Sequence, residues 1–232
     1  MPDIIIGGLT PLSSVDYPDQ LAAVLFCQGC PWACPYCQNA ALRPVTGQGA
    51  HAWGEVLDWL GGRQGLLDAV VFSGGEPTLQ AGLGEAMDAV RRLGFRVGLH
   101  TAGMFPDALG RVLGRCDWVG LDIKAPLAAY DRLTGRADSG QAAFASLKRL
   151  GASGVAFEVR TTWHPALLDA AALESLATEL DAAGASVWML QAFQPNALVD
   201  PDLAAAGTTP VPPALLARLR VLAPRLTIAC RD

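Results

Sequence analysis

The stretch Leu21-Ala22-Ala23-Val24-Leu25-Phe26-Cys27-Gln28-Gly29-Cys30-Pro31-Trp32-Ala33-Cys34-Pro35-Tyr36-Cys37-Gln38-Asn39 sets a continuous apolar run directly against a knot of cysteines. An apolar run of this length predicts a fully buried strand over residues 21–26, of the kind that parallel sheets contain. Four of the six cysteines in the chain fall within the eleven residues from Cys27 to Cys37, so whatever they do is done at the C-terminal end of that strand. Two readings are open. All four thiolates can close a tetrahedral zinc site. Alternatively Cys30, Cys34 and Cys37, spaced C-x3-C-x2-C, can hold three irons of a 4Fe-4S cluster and leave the fourth iron open to a small ligand.

The rest of the chain weighs on that choice. Residues 21–27 form the longest apolar run, far short of the roughly 20 residues that a membrane span requires. The start, Met1-Pro2-Asp3, has no basic region followed by a long apolar core, so the expected location is the cytoplasm. A reducing compartment disfavours structural disulfides and leaves metal or redox work as the usual reason for clustered thiols. With 232 residues the chain buries enough surface for a core without covalent staples. Its 17 basic against 22 acidic side chains give a net charge of -5, which offers no basic stripe for nucleic acid.

Five further short apolar runs follow, at residues 69–72, 96–100, 118–121, 155–159 and 187–190. Stretches of helical periodicity separate some of them. Trp53, Val56, Leu57 and Leu60 form one stripe, Leu173, Leu176 and Leu180 another, and Leu215, Leu219 and Leu222 a third. Strands separated by helices run parallel with right-handed crossovers, so the expected class is α/β, as an open doubly wound sheet or a partial barrel. Six units are too few for a complete eightfold barrel. No repeat, low-complexity tract or linker divides the chain, which predicts a single domain over residues 1–232.

Polar and glycine-rich oddities gather just past these runs: Ser73-Gly74-Gly75-Glu76-Pro77, Thr101-Ala102-Gly103, Asp122-Ile123-Lys124, Arg160-Thr161-Thr162 and Gln191-Ala192-Phe193. In parallel β/α folds that edge carries the active site. A zinc knuckle needs only its own loop. A cluster with an open iron needs groups on the other strand ends to hold a second cofactor, so the distribution favours the cluster.

The triplet Cys30, Cys34, Cys37 with Tyr36 resembles the signature of the radical S-adenosylmethionine (SAM) superfamily, and Gly74-Gly75-Glu76-Pro77 is similar to its GGEP motif. Longer strings resemble the anaerobic ribonucleoside-triphosphate reductase activating proteins, in their form with a Cys-Pro-Tyr-Cys loop. These are Cys34-Pro35-Tyr36-Cys37-Gln38-Asn39 and residues 72–79, 121–126, 158–162 and 190–195. The match covers about residues 9–195 and leaves 196–232 as an extension without an assigned role.

This resemblance implies a partial (β/α)6 barrel of the radical SAM type in which Cys30, Cys34 and Cys37 ligate a 4Fe-4S cluster. SAM would chelate the remaining iron, and one electron would break a sulfonium C–S bond to give a 5'-deoxyadenosyl radical. The implied SAM site comprises Tyr36 beside the adenine, Gly74 and Gly75 with main chain at the methionyl amine and Glu76 orienting their turn, and Asp122, Lys124 and Arg160. His100 is a further candidate donor to SAM. The implied activity is installation of a glycyl radical on anaerobic ribonucleotide reductase, with a flavodoxin or ferredoxin as electron donor and neither nucleic acid nor membrane as partner. Alternatives are a radical SAM enzyme acting on another glycyl radical enzyme or a small molecule, and a zinc-stabilised binding protein.

Two departures stand out. Where many activating enzymes have Asp-Thr-Asn-Gly, this chain has His100-Thr101-Ala102-Gly103, which puts a cation site there in doubt. Cys27 replaces a residue that is often Thr, and the expectation is a spectator packed as a small apolar side chain.

Overall fold

The computed structural model describes residues 2–47, 49–195 and 200–231. Its centre is one sheet of eight strands in sequence order. These are β1 (Ile6–Ser13), β2 (Ala22–Cys27), β3 (Ala69–Gly74), β4 (Arg96–Thr101), β5 (Trp118–Asp122), β6 (Ala156–Trp163), β7 (Val187–Ala192) and β8 (Thr227–Arg231). β1 runs antiparallel to β2, and every later neighbour pair is parallel. The helices are α1 (Trp53–Gly61), α2 (Leu83–Arg92), α3 (Pro106–Val112), α4 (Leu127–Thr134), α5 (Ser139–Gly151), α6 (Ala170–Ala182), α7 (Pro201–Ala206) and α8 (Pro213–Leu222).

The expected α/β class and open barrel hold, with eight strands in place of six. The two extra strands are the sheet's edges. β1 carries Gly7, Gly8 and Pro11, and its pairing with β2 breaks register between Thr10 and Ser13, where the proline removes a ladder donor. β8 lies inside the stretch 196–232, so part of that extension completes the sheet; residues 196–199 and 232 are outside the described ones. Among the described residues β1 and β8 share no ladder, and the sheet stays open between them.

Side-chain alternation sorts the strands into two cores. On β2, Ala23, Leu25 and Cys27 face the helices and join the larger core with Val70 and Phe72 of β3. Ala22 and Val24 face inward and pack with Tyr17, Ala69, Val71 and Trp118, with Phe26 against them. Tyr17, from the turn between β1 and β2, plugs the barrel with its ring 5.2 Å from that of Trp118. Gly98 makes this possible: a β-carbon there would stand 2.9 Å from the Tyr17 ring. The inner core is thus filled at its base, and the free volume lies at the C-terminal ends of the strands.

α6 starts where the Asp169 carboxylate accepts the Ala172 N–H, and it buries Leu173, Leu176 and Leu180 as their spacing predicts. α1 buries Trp53, Val56 and Leu60. α8 follows its predicted stripe less closely, burying only Leu219 fully. No helix among the described residues is long and apolar enough to cross a membrane.

Candidate active site

A cavity of about 540 Å³ opens at the C-terminal edge of the sheet. Its lining includes Cys30, Tyr36, Cys34, Cys37, Gly74, Gly75, His100, Asp122, Lys124 and Arg160. Of the residues expected to hold the cluster or SAM, Glu76 alone is absent from that wall.

The cysteine loop is fixed by main-chain bonds to distant segments. Gly29 N–H donates to Leu42 O at 2.7 Å, Cys30 N–H to Arg43 O at 2.9 Å and Ala33 N–H to Thr134 O at 2.9 Å. Trp32 sets its ring edge-on to Tyr130 at 5.8 Å. Cys27 belongs to a different environment. It ends β2, pairs in register with Gly74, and is fully buried among the side chains that face the helices. The four sulfurs therefore do not share one focus. Among the described residues no three His, Cys, Asp or Glu side chains gather closely enough to hold a single metal ion, which is the convergence that the closed zinc reading requires.

Burial pushes the Cys30 thiol up to about 11 and raises that of Cys34, with Lys124 working in the opposite direction. Both sulfurs carry protons near neutrality until something positive displaces them.

Gly74, which ends β3, and Gly75, which follows it, meet protein backbone behind them. Gly74 has φ +109°, and a β-carbon on it would lie 2.5 Å from Cys27 N. A β-carbon on Gly75 would collide with the carbonyl of Gly29. Their bareness lets the turn nest against the cysteine loop, with Gly75 N–H donating to Cys27 O at 2.9 Å and Glu76 N–H to Gly29 O at 2.8 Å. Asn39 Nδ2 donates to Gly74 O at 3.2 Å, from the end of the same loop.

Glu76 is fully buried and turned into the protein. Its carboxylate accepts Thr78 N–H at 3.0 Å, Thr101 Oγ1–H at 2.7 Å and Ala102 N–H at 2.9 Å. It therefore ties the turn after β3 to the end of β4. Burial raises its pKa, and these donors oppose the rise.

Asp122, Lys124 and Arg160 form a charged triad in the far wall. The Asp122 carboxylate lies 3.0 Å from Arg160 Nη2 and 3.3 Å from Lys124 Nζ. Burial pushes its pKa up, but Lys124 and Arg160 outweigh that effect and hold it below the ordinary carboxylate range. Gly120 leaves room for the guanidinium. Tyr130 pins the turn, its hydroxyl accepting Lys124 N–H at 3.2 Å and donating to Asp122 O at 3.4 Å. Lys124 Nζ also sits 5.7 Å from the centre of the Tyr36 ring, whose buried hydroxyl has no hydrogen-bond partner among the described residues.

Both ring nitrogens of His100 have partners within the protein. Nε2 is 2.7 Å from Asp16 O, and because a carbonyl only accepts, Nε2 carries the proton. Nδ1 then accepts from Ser73 Oγ at 3.2 Å. Burial and the nearby Arg160 pull the pKa down to about 3, so the ring is neutral. His100 borders the cavity but has no spare ring donor for a cofactor.

A model of the radical SAM superfamily matches residues 24–175. The chain belongs to the radical SAM superfamily. Members of this superfamily use a 4Fe-4S cluster and SAM, and the chain is a radical SAM enzyme. A Methanocaldococcus jannaschii protein provisionally assigned as a glycyl-radical enzyme activating enzyme is 28% identical over 207 residues, covering 85% of this chain and 83% of that protein. Among solved structures, SuiB of Streptococcus suis bound to SAM superposes with a TM-score of 0.65 at 14% identity. That match covers 88% of this chain but 48% of SuiB, so the chain spans about half the length of that protein. A domain of the pyruvate-formate lyase-activating enzyme of Bacteroides vulgatus superposes with a TM-score of 0.56 at 12% identity, covering 71% of this chain and 99% of that domain. These two likenesses concern the fold.

The radical SAM cavity also includes residues without a sequence-based role, Asn39, Ser73, Thr162 and Gln191 within the quoted strings and Asp16 and Arg231 outside them. Thr162 was legible from Arg160, since residues two apart on a strand share a face. Asp16 and Arg231 carry no local signal, because each reaches the cavity through an edge strand or its turn.

Proposed function

We propose that this radical SAM protein is an activating enzyme that installs a glycyl radical on anaerobic ribonucleoside-triphosphate reductase. The observation that carries the reading is the meeting of Cys30, Cys34 and Cys37 with the Asp122–Lys124–Arg160 triad on one cavity, while Cys27 faces elsewhere. The similarity to the M. jannaschii activating enzyme supports the reaction class, and the Cys-Pro-Tyr-Cys loop, with the strings at the other strand ends, supports the reductase as target.

The residues fit the implied cofactors. Three thiols on the cavity side, that of Cys34 buried and those of Cys30 and Cys37 half-buried, can give one thiolate to each of three irons, and the absence of a fourth leaves one iron open. The unpartnered Tyr36 hydroxyl marks a polar position awaiting a ligand. When bound, the cluster and SAM supply one-electron cleavage of a C–S bond and a carbon radical able to take hydrogen from glycine.

This chain's own part is to bind, orient and exclude water. Gly74 and Gly75 present main chain at the cavity wall, and Glu76 braces that turn from behind as a positioning residue. Arg160 and Lys124 share one carboxylate, so their remaining donors can take the carboxylate of SAM while Asp122 keeps both side chains in position. Trp32, Tyr36 and Phe26 add apolar wall that limits water. A small flavodoxin or ferredoxin supplies the electron, and the protein works in the cytoplasm as a single domain.

The test is anaerobic reconstitution with iron, sulfide, SAM and reductant, followed by addition of the reductase. The reading expects a glycine-centred EPR doublet. Competent SAM cleavage without that doublet would remove the reductase as substrate.

A further inference from the structure

Part of the cavity wall is left unused by the cluster and SAM roles above. Thr162, Gln191 and Arg231 stand side by side in register across β6, β7 and β8, as the pairs Thr162↔Gln191 and Gln191↔Arg231. All three line the cavity. The Thr162 hydroxyl and the Gln191 amide have no hydrogen-bond partner among the described residues, and Arg231 has no carboxylate within ion-pair distance there. One register step deeper, on the same face, the row continues as Arg160, Met189 and Ala229, so an apolar floor lies beneath the amide and the guanidinium.

Two polar side chains without partners and a guanidinium held only by one long contact to a main-chain carbonyl, all half-buried on adjacent strands at the mouth of a cavity, make a built surface. The nature of its ligand follows from the groups. Glycine offers no side chain to grip, so an enzyme acting on a glycine Cα must hold the peptide groups on either side of it. A glutamine amide can donate to a peptide carbonyl and accept from a peptide N–H at once, and a guanidinium can donate to further carbonyls. Arg231 already does so: Nη1 donates to the main-chain carbonyl of Val15 at 3.4 Å, a long contact that bridges the open seam between β8 and the turn after β1.

We propose that the Thr162–Gln191–Arg231 row is the substrate subsite, where an extended glycine-bearing peptide is held by its main chain, with Arg231 exchanging the Val15 carbonyl for one of the peptide. The inference rests on the activase reading and adds the residues that recognise the substrate. These are positioning residues, since none touches the reacting carbon.

The test uses the reconstituted holoenzyme and a synthetic peptide of about fifteen residues centred on the radical-bearing glycine of the reductase. Affinity for the peptide and for SAM is measured separately for the wild type, Gln191→Leu and Arg231→Gln. Loss of hydrogen bonds of this kind corresponds to an affinity drop of about tenfold. The expected result is a drop of that order for the peptide in both variants, a raised KM with kcat changed less, and an unaltered SAM affinity. A wild type that makes the glycyl radical while both folded variants bind the peptide normally overturns the subsite and leaves the activase reading intact. A wild type that cleaves SAM but neither binds the peptide nor forms the radical overturns both.

Discussion

Arg160 occupies the space that a side chain on Gly120 would need: its Cζ lies 2.7 Å from the position of a Gly120 β-carbon. The guanidinium crosses β5 at this gap to reach Asp122 on the same strand. The obstructing atoms belong to the far end of a side chain, so Gly120→Ala is expected to fold with a modest loss of stability, of about 1 kcal/mol. Arg160 must swing away, and Asp122 keeps only Lys124. SAM affinity measured by calorimetry should fall about tenfold, in line with loss of one charge-assisted contact. Unchanged affinity would show that Arg160 is not needed at the SAM site.

Gly75→Ala behaves differently, because its β-carbon meets the main-chain carbonyl of Gly29, which cannot rotate away. The turn after β3 and the cysteine loop must separate. The expected cost is about 1–3 kcal/mol, the range for overpacking a tight contact. Chemical denaturation checks the stability, and iron retention after gel filtration should fall with it.

Cys34→Ala should abolish iron binding and SAM cleavage, since it removes a thiol from the cavity wall. Cys27→Ala should preserve both, because Cys27 packs among apolar side chains on the other face of β2, and should cost about 1 kcal/mol of stability. Equal loss in the two variants would point to ligation by four cysteines.

His100 makes stability depend on acid. Its pKa is held near 3 in the folded chain, below the ordinary value of 6.5, so between those values the unfolded chain binds more protons. Stability from this group is intact above about pH 6.5 and declines toward pH 3 by up to about 1.4 kcal/mol per pH unit. Denaturation of wild type and His100→Gln at several pH values isolates the effect as a difference. The gap between them should narrow as the pH falls, and a constant gap would mean that His100 titrates normally.

Much of the fold and of the candidate site was legible in the sequence because local patterns carried it. The buried parallel strands are continuous apolar runs, and the cysteines, glycines and charges of the site follow them at the strand ends. What escaped depends on partners far along the chain. β1 lacks a run because Gly7, Gly8 and Pro11 interrupt it, and β8 is a short edge strand whose partner, β7, settles its conformation. The sequence offers Glu76 and His100 as part of the SAM site, but Thr101, Ala102, Ser73 and the Asp16 carbonyl engage them inside the protein. Gly120 looks like any glycine in a strand until Arg160 is seen lying over it.

The proposed function stands or falls with three thiols of one loop holding a cluster with an open iron. The most direct measurement is metal and sulfide analysis of protein purified without oxygen, with EPR of the reduced sample before and after SAM is added. Roughly four irons and four sulfides per chain, the composition of the cluster, are expected, with a cluster signal that changes when SAM binds. One zinc per chain with no sulfide, or a cluster signal indifferent to SAM, would contradict the proposed function.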